Sequence, residues 1–213
     1  MTVQINKLNS EKSLWSLYLT SFKFPNNKFN LLTGIFVAVL LSIYAFTSYS
    51  TQSELSFLIR ETVKLGLGLA PSVLGFLIAG FTVFVTVTKI EVFVRMAQVP
   101  YEETGESYLK YNLSAFMLAF AHYVAYIAVC VLFTFFLQPN GPLQGLIKYF
   151  VGSISGNPVL SYKLVTGAAL VVFGTWTWHL IMLLKSFIYN TYQVVITTVR
   201  WEMNVRVNST DSV

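Results

Sequence analysis

Between Lys64 and Lys89 the chain runs from Leu65 to Thr88 without a single charge, LGLGLAPSVLGFLIAGFTVFVTVT. Roughly 20 apolar residues, at about 1.5 Å of rise each, cross a hydrocarbon core about 30 Å thick, where backbone groups are satisfied only inside a helix or a closed barrel. The stretch is therefore expected to be a membrane-spanning helix. Its first two-thirds are crowded with Gly66, Gly68, Ala70, Ser72, Gly75, Ala79 and Gly80. Gly75 and Ala79 form a small-xxx-small pair, and with Gly80 they mark a face on which another helix can approach closely where lipid supplies no hydrophobic drive.

Three more runs of this kind follow from the same argument, at 31–49, 113–137 and 164–184. A soluble domain of this size carries about 25% charged residues; here the figure is 11%, with 55% hydrophobic. The expected fold class is an all-α integral membrane protein with four transmembrane helices, interfacial amphipathic helices and small cytoplasmic extensions. The first run is not a signal peptide, because thirty residues precede it and no A-x-A-like cleavage site follows. In the fourth, Gly167 and Gly174 stand seven residues apart on one face, a second close-packing site, and Trp176 and Trp178 suit an aromatic belt. The sole cysteine, Cys130, sits inside the third run and reads as a buried, inert thiol.

The connecting segments carry their own patterns. In residues 1–30, Leu14, Trp15, Leu17, Tyr18 and Phe22 share a helical face flanked by Lys12 and Lys23, as in a helix lying in the membrane interface. Ser50 to Lys64 is expected to be a separate amphipathic helix on the outer surface, opened by a capping box of Thr51 and Glu54. Pro71 either begins the second span or bends it, and is the hinge candidate. KIEVFVRMAQ, 89–98, is expected to prolong that span until Pro100 stops it. An acidic loop follows with Glu102, Glu103 and Glu106. Residues 143–154 repeat apolar positions at helical spacing and are expected to form a flat amphipathic helix, with a re-entrant pore helix as the functional alternative. At the tail, Trp201, Met203, Val205 and Val207 alternate with polar residues, the pattern of a half-buried strand; Val3 and Ile5 alternate likewise.

Ten of the fourteen Lys and Arg residues lie in the N-terminal segment, the 89–112 loop and the tail after 184, and four lie on the other side. The positive-inside rule then makes both termini cytoplasmic. The net charge of +5 is an orientation signal, not a nucleic-acid one. No span contains Asp, Glu, Lys or Arg, and His122 and His179, the ionisable residues left at depth, lack the carboxylate or thiolate company a metal site needs. They read as structural, each bonded to a tyrosine or a carbonyl. With no nucleophile–base constellation, phosphate loop or zinc spacing, the sequence predicts no enzyme, no cofactor and no metal.

On this layout, and on APSVLGFLIAGFTVF at 70–84, the chain resembles the membrane subunit of the bacterial Kiwa anti-phage defence system. The resemblance implies a homo-oligomer, guessed to be a tetramer, in the bacterial inner membrane, sensing phage attack and working with a cytoplasmic effector protein that handles nucleic acid. The residues expected to meet such a partner are Glu102, Glu103 and Glu106 together with Trp201, Met203, Val205 and Val207, an assignment that no motif of the family supplies. A small homo-oligomeric channel is the competing expectation, since a hydrophobic constriction gates without charges.

Overall fold

A computed structural model describes residues 13, 16, 18–19, 28–47, 50–101, 105–136, 145, 149 and 158–210, with backbone alone at 87, 136, 158 and 204–210. The fold is all-helical and membrane-spanning: α1 Lys28–Phe46, α2 Gln52–Val87, α3 Ile90–Gln98, α4 Tyr108–Phe136 and α5 Pro158–Thr210. Of these, α1, α2, α4 and α5 are long and apolar enough to cross a bilayer. Of the expected interfacial helices at 14–22 and 143–154 only positions 16, 18–19, 145 and 149 are described, and the strand at 3–5 lies outside the described residues.

The chain divides into two compact units, one from 27–75 and 122–182, the other from 1–26, 76–121 and 183–213. In the first, α1 is apolar all round and turns nearly everything outward: Leu32 is 68% exposed and Phe36 62%, while only Asn30 and Ala45 are buried. An apolar helix that buries so little of itself in protein has lipid as its natural solvent. α5 runs beside it. Asn30 Nδ2 donates to the Met182 carbonyl at 3.4 Å, and Lys163 Nζ donates to the Thr47 carbonyl at 2.7 Å. Where the helices touch, α5 is glycine: a Cβ on Gly174 would stand 2.5 Å from Leu41, and one on Gly167 3.0 Å from Phe46 and 3.3 Å from Ala45. Several hydroxyls along the spans donate to the carbonyl one turn back, as Ser42 does to Ala38 and Thr134 to Cys130, and these need no water.

The second unit is built on phenylalanine. Phe116 of α4, 1% exposed, meets Phe81 and Phe84 of α2 at ring-centroid distances of 5.6 and 5.7 Å and Phe187 of α5 at 5.0 Å. Phe93 brings α3 in by packing edge-on against Phe84 at 5.6 Å.

Three expectations are corrected. The amphipathic segment after Ser50 is not a separate helix but the first turns of α2, because no breaker stands between Lys64 and Leu65. α2 also runs through Pro71 without ending. Conversely, 89–98 does not prolong α2: the helix stops at Val87, Lys89 is extended (φ −62°, ψ 146°), and α3 starts afresh. The β-branched run TVFVTVT weakens the helix there. The Phe93 contact with Phe84 rewards the turn. Finally, 201–210 is helix, not strand. No Gly or Pro follows Gly174 to stop α5, and a helix satisfies its own backbone where a lone strand has no ladder to join.

The start of α2 is as the capping pattern predicts. Thr51 N donates to Glu54 Oε2 at 2.8 Å, and Glu54 N donates to Thr51 Oγ1 at 3.3 Å. Thr51→Ala should remove the cap at a cost of about 1 kcal/mol. The expected sign is faster amide exchange confined to the first turn of α2.

Candidate functional site

Beyond Val87 the second unit builds a polar surface from α3, the turn after it and the last turns of α5. α3 buries Val92 and Met96 and leaves Glu91 and Arg95 exposed. Pro100 follows its end, and the chain reverses: Tyr101 N donates to the Glu106 carbonyl at 2.7 Å and Tyr108 N to the Val99 carbonyl at 2.8 Å. Gly105 makes the reversal at φ +69°, a left-handed conformation that costs other residues energy. Tyr101 then stacks on Tyr111 with centroids 4.1 Å apart, tying the turn to α4. Of the acidic cluster, Glu106 lies 3.6 Å from Lys110 and is half-buried, while Glu102 and Glu103 fall outside the described residues.

α5 brings the other wall. Lys89 Nζ meets Glu202 Oε1 at 3.0 Å, closing a contact across 113 residues of sequence. Beside it Lys89, Glu91, Val92, Arg95, Trp201 and Glu202 line an open cleft of about 370 Å³. Two cations, two carboxylates, an indole and a valine make a surface suited to a peptide or protein with mixed charge and an apolar anchor. The Lys89–Glu202 pair is exposed on both partners and contributes little, about 0–1 kcal/mol. Glu202→Gln should therefore change the melting temperature only slightly, and raised salt should erase the difference.

Helix formation redistributes the tail residues proposed for partner contact. At about 100° per residue, positions 201 and 205 share one face and 203 and 207 the opposite one. Trp201 accordingly lines the cleft, whereas Met203 is 62% exposed away from it. For Val205 and Val207 the helical register is all that is described.

The glycine positions also sort themselves. Gly167 and Gly174 do receive a neighbouring helix, and Gly80 makes ordinary contact with Phe187 at 3.5 Å. Among the described residues a Cβ on Gly75 meets nothing within 4 Å, and Pro71 and Ala79 are exposed. Gly66 is the glycine hemmed in by a ring, since a Cβ there would lie 2.6, 2.7 and 2.9 Å from three atoms of Tyr126. His122 and His179 face each other with ring centroids 5.0 Å apart. Among the described residues no third metal-ligating side chain joins any such pair.

No protein family, curated protein or solved structure searched matches this chain. Lys89, Glu91 and Arg95 were visible in the sequence as charges flanking a span; nothing local to them signalled Glu202.

Proposed function

We propose that this chain is the membrane-embedded scaffold of a sensing complex, an oligomer in the bacterial inner membrane that offers a cytoplasmic surface to a soluble effector protein. The observation that carries the reading is the Lys89–Glu202 cleft: in a chain of four apolar helices, charged and aromatic residues from two distant stretches converge on one accessible surface. The predominance of Lys and Arg at 1–30, 89–112 and after 184 supports its cytoplasmic placement. The layout shared with the Kiwa membrane subunit supports the assignment to anti-phage defence. Pull-down of a soluble partner on the detergent-purified protein tests it. Deleting 201–213 should abolish retention while the four helices remain inserted; a partner still retained would sink the role of this surface.

A homo-oligomeric channel is the second reading, favoured by one observation. The outward face of α2 carries Glu61, Lys64, Gly68, Ser72 and Gly75, more polar than a lipid-facing stripe requires. Ion leakage from liposomes holding the purified protein alone would select it.

A further inference from the structure

α3 is short, but its three sides meet different surroundings. At about 100° per residue, Val92 and Met96 fall on one side, Glu91, Arg95 and Gln98 on a second, and Ile90, Phe93, Val94 and Ala97 on a third. The first side is buried in the protein. The second is exposed, with Glu91 and Arg95 lining the cleft. Among the described residues nothing covers the third, although it is apolar: Ile90 is 69% exposed and Val94 49%.

Phe93 fixes the direction in which that third side looks. Its ring packs edge-on against Phe84 at a centroid distance of 5.6 Å. In an unbroken helix, residues nine apart stand about 13 Å apart along the axis. With Lys89 extended between the two helices, α3 therefore turns back against the last turns of α2 instead of pointing away from them. Phe84 belongs to the span itself. The side of α3 that carries Phe93 thus looks toward the membrane, and Glu91 and Arg95, about 160° round the helix from Phe93, look away from it.

Lipid reaches that level on α2. Val83 is 60% exposed and Val85 42%, and the hydroxyls of Thr82 and Thr86 donate to the carbonyls of Ile78 and Thr82 at 2.9 Å. The outward side of the span therefore stays fit for hydrocarbon to its last turn. Ile90 and Val94 carry this apolar surface on round the bend. Beside it stand Lys89, Arg95 and Trp201, residue types that settle at headgroup level. The charges along the cleft cancel, Lys89 and Arg95 against Glu91 and Glu202, so attraction to anionic lipid is not what holds α3 there.

We propose that α3 lies flat in the bilayer interface, with Ile90, Phe93 and Val94 at the boundary of headgroups and acyl chains and the Lys89–Glu202 cleft opening on the aqueous side. The occupant of the apolar side is the bilayer that α2 already crosses, not a soluble partner. Apolar burial drives the insertion, so zwitterionic lipid serves as well as anionic lipid. A partner entering the cleft meets it at the membrane surface, beside lipid headgroups. This placement rests on α2 as a span and not on the scaffold reading.

Fluorescence quenching in liposomes tests it. In the full chain carrying Cys130→Ala, an NBD label at Ile90→Cys or Val94→Cys should be quenched by acyl-brominated lipid roughly threefold more than one at Glu91→Cys. Aqueous iodide should give the reverse order. Both orders should hold in zwitterionic liposomes and be unchanged when anionic lipid is added. Equal bromolipid quenching at the three positions, iodide reaching Ile90→Cys as readily as Glu91→Cys, or an order that needs anionic lipid would each overturn the placement. Another protein segment or a second copy covering α3 would shield Ile90→Cys and Val94→Cys from both quenchers, and that result would overturn it too. Loss of effector pull-down with the quenching order intact would overturn the scaffold reading and leave the placement standing.

Discussion

Phe116→Ala is expected to destabilise the phenylalanine-cored unit by about 3–5 kcal/mol, the range for truncating a fully buried phenylalanine. Phe116 is 1% exposed, and its ring touches Phe81 and Phe84 from α2 and Phe187 from α5, so its loss leaves a cavity that three separate stretches would have to collapse to fill. The consequence should reach the candidate surface. Phe84 is also what Phe93 packs against, so slack around Phe116 loosens the seat of α3 and with it one wall of the Lys89–Glu202 cleft. Unfolding of the detergent-purified protein, followed by denaturant titration, should show the drop, with Phe135→Ala as the control because Phe135 is 67% exposed. Equal stability of the two variants would mean that Phe116 does not hold this unit together.

The second large effect separates two glycines nine residues apart on one helix. Gly66→Leu should be severely destabilising, because its Cβ alone would sit 2.6 Å from the ring of Tyr126, a residue with 0% exposure whose hydroxyl is 2.7 Å from Thr177 Oγ1. Moving that ring overpacks the site at about 1–3 kcal/mol and orphans a hydroxyl away from water at about 1–3 kcal/mol more. Gly75→Leu should leave the stability of the chain unchanged, since nothing lies within 4 Å of the added Cβ. It should instead reduce the oligomer in native mass measurement. An assembly that survives Gly75→Leu would count against the close-packing face expected at Gly75 and Ala79, whereas wild-type stability in Gly66→Leu would mean that Tyr126 has another place to go.

These glycines show how far local pattern reaches. Gly66, Gly75, Gly167 and Gly174 look alike in sequence, each a small residue inside an apolar run, yet three receive a side chain and one faces outward. In water the polar face of an amphipathic helix declares which side is outside. In lipid both sides are apolar, so hydrophobicity ranks no face above another, and only shape matching with a distant helix decides. The tail illustrates a related failure: alternation from Trp201 to Val207 has the period of a strand, but α5 arrives there already helical with nothing to stop it, and continuity outweighs a short pattern.

By itself, the sequence determined what a bilayer enforces locally: four apolar runs become helices because backbone groups in hydrocarbon have no other partners, Thr51 and Glu54 open α2 by capping each other, and α3 ends ahead of Pro100. Tertiary structure alone decided that Gly66 rather than Gly75 is the tight position, and that Lys89 finds Glu202 across 113 residues. The reason is physical. Helix formation and capping are settled by neighbours within a turn or two, whereas the side a helix buries and the charge a lysine meets depend on residues far away in the chain.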